Sequence, residues 1–233
     1  MRTLAVIAPL VVTALVLAWL APIPQPAAYH HYADQRPLFG VAHFWNVASN
    51  LPFLILGVMG LRLNASLSWR VGFLGVVFVA LGSAYYHLAP DDPRLVWDRV
   101  PIGIAFAGFY AAVLDEHLAL RSVRWLAGFT LLSMMAVAWW RYSGDLSAWI
   151  FVQVGAMLGA ALMVALLPGR HGHRRYIMYS LACYAVAKAY EFADHSLRTV
   201  TGGLTGGNAF KHLFAAAGVW CFYRMLELRL NVR

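Results

Sequence analysis

Ser83 and His87 stand four residues apart, and Asn208 and His212 repeat that interval near the other end of the chain. On a helix, such pairs share a face. Two faces of this kind, drawn from separate helices, can surround one ion. Zinc takes three or four N, O or S ligands tetrahedrally, and a catalytic site leaves one position for water. Asp98 follows His87 after eleven residues, across a short loop, close enough to hydrogen-bond such a water and act as a base. The chemistry these types could support is metal-assisted hydrolysis. The spacing is equally compatible with two interfacial histidines hydrogen-bonded to their neighbours.

The elements that must position these residues are apolar. Of the 233 residues, 61% are hydrophobic and 12% charged, against about 25% charged in a soluble domain. That balance excludes a soluble globule and a disordered chain, leaving an integral membrane protein. Continuous rather than alternating apolar runs point to helices, since backbone in lipid must satisfy its own hydrogen bonds. At about 20 residues per crossing, the sequence offers eight windows: 4–21, 43–61, 69–88, 100–118, 125–140, 146–167, 176–192 and 208–226. The first, with Arg2 ahead and Pro22, Pro24 and Pro26 behind, reads as an uncleaved anchor, its apolar core exceeding the usual signal-peptide length. A cleaved signal remains the alternative. The expected architecture is therefore an all-α membrane protein: an N-terminal apolar segment, 1–28, and a seven-helix membrane domain, 29–233.

The net charge of +8 reads as a topology signal rather than a nucleic-acid footprint. Threading eight spans from a cytoplasmic N-terminus puts eleven arginines inside, Arg121 and Arg233 among them, and five outside. Both termini are then cytoplasmic. On that threading Ser83, His87, Asp98, Glu191, Asp194, His195, Asn208, Lys211 and His212 gather at the outer face. Ionisable groups within spans usually face a cavity, a partner or a site. Glu191, Asp194 and His195 could orient a metal-bound histidine or form an interfacial cluster around Lys188 and Arg198. His171 and His173 belong to a basic loop suited to anionic lipid. Trp45, Asn46, Ser49 and Asn50 read mainly as hydrogen-bonding between helices. Cys183 and Cys221 lie within apolar runs and form no CxxC pair.

Several of these strings carry a resemblance. His43-Phe44-Trp45-Asn46-Val47-Ala48-Ser49-Asn50 resembles the opening-span motif of alkaline ceramidases. Ser83 with His87, then Asp98-Arg99-Val100-Pro101, is similar to the family's Ser, His and Asp-x-x-Pro signature, and Asn208 to His212 is similar to its final-span motif. The likeness runs from Tyr32 to Tyr223, extends to the wider superfamily of seven-span ceramidase-related metallohydrolases, and fits the bacterial branch best. It implies a membrane-embedded zinc amidohydrolase cleaving ceramide-like N-acyl lipids to fatty acid and amine. In that reading His87 and His212 are zinc ligands, Ser83 steadies the substrate oxygen and Asp98 is the general base. The bacterial branch together with the arginine threading leads to the expectation of a bacterial inner membrane, with the site near the periplasmic face and the C-terminus cytoplasmic.

The pattern departs from the family in two places. Asn208 stands where a third histidine is usual, offering a neutral, hard oxygen poorly matched to zinc; His195 or an extra water could fill the place. Asp34-Gln35-Arg36 is nearly all that remains of an acidic calcium-binding stretch, and His43 occupies a usually acidic position, so calcium is not expected. The partner implied is a lipid substrate, with no nucleic acid and no protein partner indicated. The alternative is a non-catalytic lipid-binding or receptor-like relative whose metal site Asn208 has weakened.

Overall fold

A computed structural model describes residues 2–118 and 122–230; Arg121 and Arg233, counted above toward the inner face, lie outside the described residues. Among the described residues ten α-helices follow one another: α1 (Arg2–Leu20), α2 (Phe44–Ala48), α3 (Leu51–Leu61), α4 (Leu67–Leu88), α5 (Asp92–Leu118), α6 (Ser122–Ser143), α7 (Ser147–Leu166), α8 (Arg175–Phe192), α9 (Asp194–Val200) and α10 (Gly207–Leu230). No strand occurs among the described residues. Phe44–Leu61, Leu67–Leu88, Asp92–Leu118, Val123–Ser143 and Ser147–Leu166 are each long and apolar enough to cross a membrane, so this is an all-helical membrane protein. The apolar part of α1, Val6–Leu20, is shorter. Lys188 and Glu191 dilute the apolar run of α8, as Asn208, Lys211 and His212 do that of α10.

Six of the helices close a ring. α3 packs on α4, α4 on α5, α5 on α7, α7 on α8, α8 on α10, and α10 back on α3. α6 lies outside against α5 and α7, and α1 against α7. Small residues permit the tightest seam, between α4 and α5. A side chain added at Gly82 would run into the carbonyl of Trp97, and one at Gly108 into the backbone of Gly72. Such close approach is how helices associate where no hydrophobic gain distinguishes lipid from protein.

Two expected boundaries shift for local reasons. α5 begins at Asp92 rather than Val100, because Asp91 accepts the Arg94 N–H at 2.8 Å and Pro93 fits a first helical turn. The acidic pair Asp91–Asp92 is thus a helix start, and Asp98 sits in the second turn instead of opening the span. The window 43–61 breaks at Ser49–Asn50, where side chains compete with the helix for its carbonyls. Asn50 Nδ2 donates to Asn46 O at 2.8 Å, and Ser49 Oγ to the same carbonyl at 3.2 Å.

The stretch after α1 is stitched to the bundle. The Ile23 N–H donates to Asp145 Oδ1 at 2.9 Å, and the Leu146 N–H to Ile23 O at 2.8 Å. Asp145 also accepts from the Ser147 N–H and hydroxyl and from the Trp139 indole. Burial alone would push its carboxyl up; those donors outweigh it and hold the pKa at about 2. A depressed carboxyl contributes stability that is present above the unfolded value of about 3.9. That contribution fades as pH falls through about 2. Asp145→Asn should therefore melt below the parent at neutral pH in detergent, with the gap closing between about pH 4 and pH 2. Equal melting temperatures at neutral pH would remove Asp145 as the stitch. The 28/29 boundary falls within the 3-10 turn Ala27–His30, which caps the ring beside the polar residues described next.

Candidate functional site

α4 and α10 deliver their i,i+4 pairs to one place. His87 and His212 are buried, and their ring centroids lie 5.0 Å apart at 62°. Asn208, buried on the same turn of α10 that leads to His212, places Nδ2 3.4 Å from His87 Nε2. Ser49 Oγ meets His212 Nδ1 at 2.8 Å, which leaves the opposite ring nitrogen free. Tyr32 packs edge-on against His87, with centroids 4.8 Å apart, and donates its hydroxyl to Tyr86 at 2.9 Å. His30 Nδ1 meets the same Tyr86 oxygen at 2.9 Å.

The start of α10 is fixed by Asp194. Its Oδ1 accepts the Asn208 N–H and its Oδ2 the Ala33 N–H, both at 2.8 Å, so one carboxylate caps the helix and anchors the loop before α2. Arg36 and Arg198 both pair with the buried Asp34, at 2.9 and 2.8 Å. Burial alone would raise the Asp34 carboxyl, but these guanidiniums and the Arg36 N–H hold it below the usual range.

A cavity of about 190 Å³ fills the centre of the helix ring. Its polar end is walled by Ser83, Asp98, Arg99, Lys188, Glu191, Lys211 and His212, with Tyr29 over it. From there an apolar corridor runs along α5 to Val113, between α7, α8 and α10. Fifteen residues of helix make that corridor about 22 Å long. His212 belongs both to this wall and to the His87–Asn208 group, whereas His87 and Asn208 stand behind the wall. Glu191 bridges two lysines, Lys188 at 2.6 Å and Lys211 at 3.3 Å.

The five residues singled out by spacing and resemblance thus form one assembly, with Ser83 and Asp98 on the cavity side and His87 and Asn208 on the other. His195 does not join it. α9 starts afresh at Asp194 after a break at Ala193, turning His195 outward to meet His31 O at 3.1 Å. It is exposed and cannot stand in for the missing histidine. The Glu191–Asp194–His195 group divides accordingly: Glu191 faces the cavity, Asp194 holds α10, and His195 faces away.

A tetrahedral zinc with Zn–N bonds of about 2.0–2.1 Å sets two bound imidazole centroids about 5 Å apart, the separation found here. His87 Nδ1 and Asn208 Oδ1 are both buried without a hydrogen-bond partner. The imidazole pair and the adjacent amide oxygen supply nitrogen and oxygen donors of the types a metal ion takes. Among the described residues no three His, Cys, Asp or Glu side chains converge as a metal centre would require; the third polar side chain beside the two histidines is Asn208.

Three contributors carried little sequence signal. Ser49 reaches His212 across 163 residues, and Tyr29 and Tyr32 arrive from the stretch after α1. Removing the Ser49 hydroxyl strands a buried imidazole nitrogen. Ser49→Ala should cost about 1 kcal/mol, read as a lower melting temperature, and Ser49→Thr should recover most of it. An unchanged Ser49→Ala would show that the contact does not orient His212.

The sequence matches the Ceramidase family model over residues 38–187, a span holding Ser83, His87 and Asp98 but ending before Asn208 and His212. None of the curated proteins compared with it matches. With well over half of its length in that match, the chain belongs to the Ceramidase family.

Proposed function

We propose that the protein is a membrane-embedded amidohydrolase that cleaves ceramide-like N-acyl lipids to a fatty acid and an amine, with zinc as its cofactor. The observation that carries this reading is the His212 ring, which lines the polar end of an amphipathic cavity with Ser83 and Asp98 while packing against His87 behind it. The apolar corridor has the length of an extended long-chain acyl group, so the amide of a seated N-acyl lipid comes to lie among the polar groups. The lipid tails never leave an apolar environment.

His87 and His212 would hold the ion, with Asn208 Oδ1 as a weaker third donor. A bound zinc would polarise a carbonyl and lower the pKa of water to about 7. Ser83 donates its hydroxyl hydrogen to the substrate carbonyl oxygen. Asp98 takes the proton from the water whose oxygen joins the acyl carbon, then delivers it to the amine nitrogen as the C–N bond breaks. One water is consumed, and the proton taken at the start leaves on the amine. Ser49 holds the His212 ring in a single orientation, the role that outer hydrogen bonds play for metal-ligating histidines.

The proposal extends to the arrangement in the membrane. Seven crossings form the catalytic domain, 29–233, and α1 lies alongside as an anchor. Its site faces the outer side of a bacterial inner membrane, and the C-terminus is cytoplasmic.

Purified protein in detergent should release fatty acid from ceramide, lose that activity on chelation and regain it with zinc. No release from ceramide or any other N-acyl lipid would overturn the hydrolase reading. A second reading, a lipid-binding relative without catalysis, draws on Asn208 alone. It requires substoichiometric zinc together with retained binding of ceramide.

A further inference from the structure

We infer that the cavity recognises an N-acyl lipid whose amine half carries a compact anionic group, a carboxylate or a phosphate, and that Arg99 is the residue that selects it. This rests on the hydrolase reading above and specifies its substrate class.

Arg99 lines the polar end of the cavity yet is only 3% exposed. A guanidinium removed from water normally needs a carboxylate beside it, because desolvating an unpaired charge costs several kcal/mol. Arg99 has none within ion-pairing distance among the described residues. Its Nη2 donates to Gln25 Oε1 at 2.9 Å, and its Nη1 is buried with no partner at all. Aromatic faces hold the plane in place: Trp140 lies 3.9 Å from the guanidinium carbon, with Tyr29 and Trp149 farther off. That is a guanidinium fixed in position with one donor edge unused.

The charge of the surroundings points the same way. Around the polar end, Arg99, Lys188 and Lys211 face two carboxylates, Asp98 and Glu191, and Glu191 is already shared between the lysines. Arg99 is the one cation of this set with no carboxylate within ion-pairing distance among the described residues. A neutral sphingoid head group would leave it uncompensated, whereas an oxyanion would cancel it and accept from Nη1. A guanidinium N–H that meets a carboxylate or phosphate oxygen makes a charge-assisted hydrogen bond, shorter and stronger than a neutral one.

The test compares three lipids with the same acyl chain: N-palmitoylglycine, N-palmitoyl phosphoethanolamine and the neutral N-palmitoylethanolamine. Parent protein should cleave at least one anionic lipid with kcat/KM about tenfold or more above the neutral one, the effect of a charge-assisted hydrogen bond. Which of the two anions leads tells carboxylate from phosphate. In Arg99→Gln that ratio should collapse toward one, through KM, and Arg99→Lys should recover part of it; a merely structural arginine would lower all three rates and leave the ratio alone. A ratio near one in the parent, or an unchanged ratio in Arg99→Gln, overturns the proposal. If none of the three is cleaved, the hydrolase reading fails on these substrates, and ligand-induced thermal stabilisation by the same lipids decides the subsite. Stronger stabilisation by an anionic lipid, lost in Arg99→Gln, sustains it; equal stabilisation by all three overturns it.

Discussion

Asn208→His should raise bound zinc toward one ion per chain and increase kcat/KM on N-acyl lipid by about tenfold or more, since a neutral oxygen gives way to an imidazole. The position is prepared for it. Asn208 is buried beside His87, its backbone is held by Asp194, and its Oδ1 has no other partner. Asn208→Gln, which lengthens the side chain without adding an imidazole, should show neither gain. Metal analysis and fatty-acid release measured on the same preparations check both. If Asn208→His gains zinc but no activity, the parent is a binding protein whose catalytic groups do not act. If the parent already carries one tightly held zinc and Asn208→His weakens it, the amide is a competent ligand and the site is complete as it stands.

The second large effect is expected at Asp98. Asp98→Asn keeps the shape and the neighbours but removes the proton acceptor, so kcat should fall by about 10²–10⁴. KM and zinc content should stay close to the parent values, because Asp98 lines the cavity without belonging to the His87–His212–Asn208 group. A fall in zinc content matching the fall in rate would instead make Asp98 a ligand. A rate within about threefold of the parent would remove it from proton transfer, a role that ordinarily contributes at least about a hundredfold.

How much of this was legible beforehand depended on whether the signal was local. Ser83 with His87 and Asn208 with His212 are helical neighbours by spacing alone, and each pair does share a buried face. The apolar runs mark the helices, and Asp98 comes to the same end of the bundle because only a short turn separates α4 from α5. His195 was harder to read. It is close to Glu191 in sequence, but the helix breaks at Ala193 before α9 starts, and such a break cannot be inferred from spacing. Ser49 looked like one of several small polar residues in a span; its partner is 163 residues away, a tertiary fact with no periodic trace. In the stretch after α1 nothing in Tyr29 announces a cavity wall, and nothing in Gln25 announces a partner for Arg99. Their roles follow from how Ile23 and Asp145 fasten that stretch over the ring.

The seam between α4 and α5 has a consequence for how this protein can vary. Gly82 rests on the backbone of Trp97, so the two helices are keyed immediately beside Ser83 on one strand of the joint and Asp98 on the other. The spacing between a hydroxyl and a carboxylate is therefore set by main chain against main chain, not by replaceable side-chain packing. Gly108 repeats the key about 15 Å further along α5. Exposed apolar positions such as Leu74, Phe78 and Leu81 have room to vary, whereas a single methyl group at either glycine wedges the joint open.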